Sequence, residues 1–224
     1  MPTITARLEP TALRIPVSGH TWLNADVAVP PGAKGVVLFA HGSGSGRHSP
    51  RNRYVARELN VLQMATVLAD LLTEEEEKVD DRTGALRFDI PLLTHRLVKI
   101  VDWAGTYDRL AALPVGIFGA STGAAAALDA AALRPGVVRA VVSRGGRPDL
   151  ATLFDEVRAP TLLIVGGNDT RVLELNSRAS HLLKCTRRLE VIPGARHLFE
   201  EPGTLEAVAS AAGTWFLQHL TSAD

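Results

Sequence analysis

The sequence predicts an α/β protein: a mostly parallel, eight-stranded sheet covered by helices on both faces. Three observations lead there. Short β-branched runs alternate with longer segments of helical periodicity. Six of the runs are continuously apolar, as parallel strands buried on both faces must be. Hydrophobic residues make up 46% of the 224 residues and charged residues 21%, enough apolar surface for one sizeable core. Neither an internal repeat nor a long linker divides the chain, so residues 1–224 are expected to form a single domain.

The first two strands, 11–17 and 23–29, alternate apolar with polar residues and flank Ser18-Gly19-His20, the pattern of an antiparallel hairpin at a sheet edge. The six apolar runs follow at 35–40, 64–70, 115–120, 139–143, 161–166 and 188–193. Helical patterns fall at 51–60, 90–107, 122–134, 150–157, 171–184 and 204–220. In the last of these, Leu205, Val208, Ala209, Ala212, Trp215, Phe216 and Leu220 form one stripe, which assigns Trp215 and Phe216 to the core. The acidic stretch LTEEEEKVDDRTG, 72–84, reads as a solvated, mobile loop because its like charges repel, with a lid over a site as the lesser reading.

Composition excludes several classes of function. A formal net charge of zero gives no electrostatic footprint for nucleic acid or an anionic membrane, which leaves a small molecule as the expected partner. The single cysteine, Cys185, precludes an internal disulfide and a Cys-rich zinc site, and points to a reducing compartment. With no apolar segment behind basic residues at the start and no run of spanning length, a cytoplasmic location is expected.

Gly119-Ala120-Ser121-Thr122-Gly123 fits G-x-S-x-G between a buried strand and a helix, where that motif makes a nucleophile elbow. The glycines let strand and helix approach, and AAAALDAAAL keeps the helix slim. The bland alternative is a glycine-rich turn with an incidental serine. A serine nucleophile needs a base, and the base needs an orienting acid. Asp169 falls just past the seventh strand and His197 just past the eighth, in the chain order Ser, acid, His. Parallel strands end on one side of the sheet, so the three would converge there. Asp169 could instead cap the helix that follows it. His20, His48, His95, His181 and His219 lack such positions and read as surface or packing residues.

Acyl transfer also requires two backbone N–H groups aimed at the oxyanion. Thr122 supplies one at a helix N-terminus. Ser43, in the loop AHGSGSGRHSPRN after the third strand, supplies the other, with His41 holding that loop. A phosphate-cradling role for the loop is the weaker reading, since neither nucleotide-binding glycine pattern is present.

The segments FAHGSGSGRHSPRN, VLADLLTEEEEKVDDRTGALRFD, GASTGAAAAL, VVSRGGRPDL, APTLLIVGGND and GARHLFEEPG together resemble the dienelactone hydrolase-like family of the α/β-hydrolase fold, over roughly residues 27–220. Similar segments occur in bacterial proteins of that kind, some fused to a phosphoribosyltransferase domain. The resemblance implies a serine hydrolase acting on an ester, lactone or thioester without cofactor or metal. Dienelactone hydrolases themselves carry cysteine at the elbow and an arginine a few residues past the histidine, where this chain has Ser121 and Glu200-Glu201. Arg144 and Arg147, after the sixth strand, could bind a substrate carboxylate or phosphate, or pair with Asp149 or the acidic stretch. The connection they occupy is too short for a cap domain. The competing readings are a non-catalytic binding or scaffold protein, partnering a phosphoribosyltransferase as in the fused relatives, and an acyltransferase or perhydrolase using the same triad. Monomer and homodimer are both compatible with the sequence.

Overall fold

The structure, a computed structural model, describes residues 8–221. Eight strands form one sheet: β1 (Thr11–Ser18), β2 (Thr21–Ala28), β3 (Gly35–Ala40), β4 (Met64–Ala69), β5 (Val115–Ala120), β6 (Val138–Arg144), β7 (Thr161–Gly166) and β8 (Arg187–Ile192). Their spatial order is β1-β2-β4-β3-β5-β6-β7-β8. β2 runs antiparallel to both β1 and β4, and β3 to β8 are mutually parallel. The eight predicted strands are therefore all present, and the hairpin turns where Gly19 takes a left-handed φ of 46°.

Helices α1 (Pro50–Val61) and α6 (Thr204–Leu220) cover one face; α3 (Ile90–Ala104), α4 (Thr122–Leu133) and α5 (Thr170–Leu182) cover the other. The pleat divides the core between them. Phe39, Phe118, Val142 and Ile164 pack with Leu59, Val208 and Phe216, while Leu38, Ile117, Val141 and Leu163 pack with Leu97, Val101 and Leu128. Trp215 and Phe216 lie in the core as their stripe predicted. No helix among the described residues is long and apolar enough to cross a membrane.

Three expectations are corrected. The acidic stretch is not a loop: α2 spans Glu74–Thr83. Thr73 and Glu76 close a capping box, four glutamates face the positive end of the helix dipole, and Gly84 ends the helix in a left-handed conformation. Glu76 also pairs with the buried Arg96, and Asp80 with Arg87, so the repulsion is offset by partners from other segments. The predicted helix at 150–157 is two 3-10 turns, Pro148–Leu150 and Phe154–Glu156. Between them the buried Asp129 carboxylate accepts from the N–H groups of Thr152 and Leu153, holding the chain in a bend rather than a helix. Lastly, β8 is not buried on both faces; it is the edge strand, and only Ile192 is fully buried.

Candidate active site

β5 is buried along its whole length and passes through a single residue, Ser121, into α4. Ser121 holds φ 51° and ψ −122°, a conformation that L side chains resist. Close packing enforces it. A Cβ on Gly119 would lie 2.6 Å from Ala124 Cα, and one on Gly123 would lie 2.3 Å from the Ala40 carbonyl oxygen. Only glycine lets α4 come this near to β5 and to the end of β3. The run of alanines that follows is fully buried from Thr122 to Ala132, the slim helix the sequence called for.

Asp169 stands at the N-cap position of α5 but makes no capping hydrogen bond. Its carboxylate instead receives the Nδ1 hydrogen of His197 at 2.7 Å. Backbone bonds lock the two loops together: Asn168 N–H donates to the Ala195 carbonyl at 2.9 Å, and Gly167 N–H to that of Ile192 at 2.9 Å. The His197 ring lies over Gly145, where an added Cβ would be 3.5 Å from Nδ1. Ser121 is tied to the same corner, since its N–H donates to the Arg144 carbonyl and its carbonyl accepts from Arg147 N–H. The carboxyl ends of β5, β6, β7 and β8 thus gather the serine, the imidazole and the carboxylate at one rim. The Ser121 hydroxyl itself makes no side-chain hydrogen bond among the described residues. Cys185 is buried in the loop before β8, against Thr161.

The loop after β3 wraps over the elbow; a Cβ on Gly42 would come within 2.9 Å of the Ser121 Cβ. Residues at the end of β4 pin both ends of that loop. At one end, Leu71 N–H donates to His41 Nε2 at 2.9 Å while His41 Nδ1–H reaches the Gly42 carbonyl at 3.1 Å, so the imidazole is neutral and buried. Burial lowers its pKa, partly opposed by the Gly42 carbonyl and the Asp70 carboxylate. At the other end, the buried Asp70 accepts from Arg47 N–H at 2.7 Å and pairs with the Arg47 guanidinium. Asp26 joins Arg47 to Arg53. Sequence reasoning missed this ion network, although GSGRH placed a cation beside the flexible glycines.

The N–H of Thr122, in the first turn of α4, has no partner within the helix. The N–H of Ser43 donates to the Thr122 hydroxyl at 3.1 Å. Beside these two residues opens a cleft of about 240 Å³ between the Gly42–Gly46 loop and α2, with Leu72 and Leu93 on its apolar side and Glu77, Asp80, Asp81 and Arg87 on its polar side. Although burial opposes ionisation of Asp80, hydrogen bonds from the Arg87 N–H and guanidinium outweigh it and hold the carboxyl below the usual range. Burial raises the Glu77 carboxyl, helped by Asp70 and Asp81 nearby.

Neither Arg144, the last residue of β6, nor Arg147 beyond it lines this cleft. Arg144 is buried, donates to Asn52 Oδ1 at 3.3 Å and lies 5.8 Å from the Phe199 ring centre; its pKa falls to about 10 through burial and the proximity of Arg51. Arg147 forms a two-pronged ion pair with Asp149, Nε to Oδ1 at 2.8 Å and Nη2 to Oδ2 at 2.7 Å. Among the described residues no group of three or more His, Cys, Asp or Glu side chains could hold a metal ion.

A parallel sheet whose fifth strand runs through a strained serine into a buried helix is the architecture of the α/β-hydrolase fold, here without a cap, because β6 reaches β7 through the two 3-10 turns alone. A dienelactone hydrolase from Anabaena variabilis narrows the class: it is 54% identical, superposes with a TM-score of 0.93, and the match covers 96% of this chain and 99% of that one. The chain belongs to the dienelactone hydrolase-like family. Est1E from Butyrivibrio proteoclasticus shares the fold at 18% identity, with a TM-score of 0.79 over 94% of this chain and 99% of its own. Relatives from two Mycobacterium tuberculosis strains, each named "Putative phosphoribosyl transferase", are 57% identical over 207 residues, 92% of this chain. The match spans only 44% of their length. No family model matches the sequence.

Proposed function

We propose that the protein is a serine hydrolase that cleaves a small carboxylic ester, lactone or thioester through an acyl-enzyme. Ser121 Oγ attacks the carbonyl carbon and its proton passes to His197 Nε2. The tetrahedral intermediate collapses, and His197 returns that proton to the leaving alcohol or thiol. Water, deprotonated by the same nitrogen, then attacks the acyl-Ser121 ester; the second tetrahedral intermediate collapses, the acid is released and His197 returns the proton to Ser121 Oγ. Asp169 fixes the tautomer that leaves Nε2 unprotonated and stabilises the imidazolium. The Thr122 N–H and the loop bearing Ser43 stabilise the oxyanion, and the neighbouring cleft receives the substrate. No step calls for a cofactor or a metal.

The observation that carries this reading is the 2.7 Å contact between Asp169 and His197 Nδ1, made by a carboxylate that stands at a helix N-cap yet does not cap it. A fluorophosphonate probe should label Ser121, and Ser121→Ala should abolish labelling and lower p-nitrophenyl acetate turnover by about three orders of magnitude or more. A folded protein that resists the probe and turns over no ester would instead favour the scaffold reading. That alternative draws on the mycobacterial relatives, whose name refers to a different chemistry and whose length exceeds the match. Transfer of the acyl group to an acceptor other than water, peroxide included, uses the same residues and would appear as product partitioning when the acceptor is added. A cytoplasmic monomer or homodimer is the setting we propose for this activity.

A further inference from the structure

The amide expected to serve as the second oxyanion donor is already engaged. Ser43 N–H points at Thr122 Oγ1, 3.1 Å away. A hydroxyl has one hydrogen and two lone pairs, so accepting from Ser43 leaves the Thr122 hydrogen to donate elsewhere. Among the described residues the one acceptor in range is Ser43 Oγ at 3.4 Å, at the long limit of such a bond. Thr122 is only 2% exposed, yet it helps line the cleft beside the nucleophile. It is β-branched and helical, which limits χ1 to few rotamers, and the Ser43 N–H favours the one observed.

From this we infer that the Thr122 side-chain hydroxyl is a catalytic oxyanion donor, with the Ser43 amide acting behind it rather than on the substrate. The inference rests on the serine-hydrolase reading above. The chain of donors runs from Ser43 N–H to Thr122 Oγ1 and from Thr122 Oγ1–H to the oxyanion, each bond polarising the next. Thr122 then supplies two hydrogens, one from its backbone and one from its side chain. A negatively charged oxygen is a far better acceptor than Ser43 Oγ, so the hydroxyl bond strengthens as charge develops. Its loss should therefore appear in kcat.

Thr122→Val keeps the shape and removes the hydroxyl, and Thr122→Ser restores it. On p-nitrophenyl acetate, Thr122→Val should lower kcat by about 100-fold with KM changed less than about threefold, the size of effect expected for one lost donor. Thr122→Ser should recover kcat to within about tenfold of the wild type. Fluorophosphonate labelling of Ser121, whose transition state also builds negative charge on the phosphoryl oxygen, should slow in parallel. Thr122→Ala repeats the test without the added methyl should valine disturb packing. Wild-type protein that is labelled and active, together with valine and alanine variants that match or exceed it, would overturn the assignment alone and make the hydroxyl a plug that the substrate displaces. Wild-type protein that is neither labelled nor active would overturn the hydrolase reading and this inference with it.

Discussion

Acidification should weaken the protein through His41. Both ring nitrogens are engaged: Nε2 accepts from Leu71 N–H and Nδ1–H donates to the Gly42 carbonyl. A second proton would sit on Nε2, facing the Leu71 N–H, in a site with almost no water. Burial therefore holds the folded-state pKa below 6.5, while the unfolded chain titrates near that value. Above about pH 7 neither state carries the proton and His41 is silent. Below about pH 6.5 the unfolded chain binds it and the folded one does not, so stability falls with pH by at most about 1.4 kcal/mol per unit. The loss levels off once the pH drops below the folded-state value. Urea unfolding of the wild type and of His41→Gln, whose amide oxygen can still accept from Leu71, should be compared from about pH 8 to about pH 5. The wild-type advantage should be constant above about pH 7 and shrink below about pH 6.5. Curves that run parallel through that range would show that the imidazole takes up a proton as readily in the folded protein as in the unfolded one.

Two further outcomes follow from the elbow and its partners. Asp169→Asn should lower kcat by about 10⁴-fold by favouring the wrong tautomer of His197. Because Asp169 does not cap α5, its thermal midpoint should stay within a few degrees of the wild type; a large drop would mean that the carboxylate is structural. Gly123→Ala places a methyl 2.3 Å and 2.4 Å from the backbone oxygens of Ala40 and His41, which no side-chain rotation relieves. It should cost about 3 kcal/mol or more and displace the loop over Ser121; a native midpoint in thermal unfolding would contradict that.

Much of this was legible in the sequence because it depends on local pattern and chain order. β-branched runs marked the strands, and G-x-S-x-G gained meaning from the strand before it and the helix after it. The positions of Asp169 and His197 past two later strands followed from topology alone. Features set by distant partners were not legible. The TEEE start of α2 carried a capping signal at Thr73 and Glu76, but Arg87 and Arg96, which offset its charge, come from other segments. Asp129 bends the 150–157 segment from a helix away. β8 had Arg187, Arg188 and Glu190 to mark an edge, a signal that its apolar positions obscured. Arg144 ends a strand, where solvent is the usual surrounding, yet α1 and Phe199 close over it. The bond between Ser43 and Thr122 joins residues 79 apart and depends on a rotamer.

The backbone of Ser121 is held in a strained conformation. Residues other than glycine resist its φ of 51° and ψ of −122°, and holding one there costs on the order of 1–3 kcal/mol. Glycine would rest at that corner without penalty, and a protein needed only for its shape would gain sturdiness by losing the hydroxyl. A chain that keeps a non-glycine residue at this closely packed strand-to-helix junction holds a hydroxyl there at a standing cost in stability.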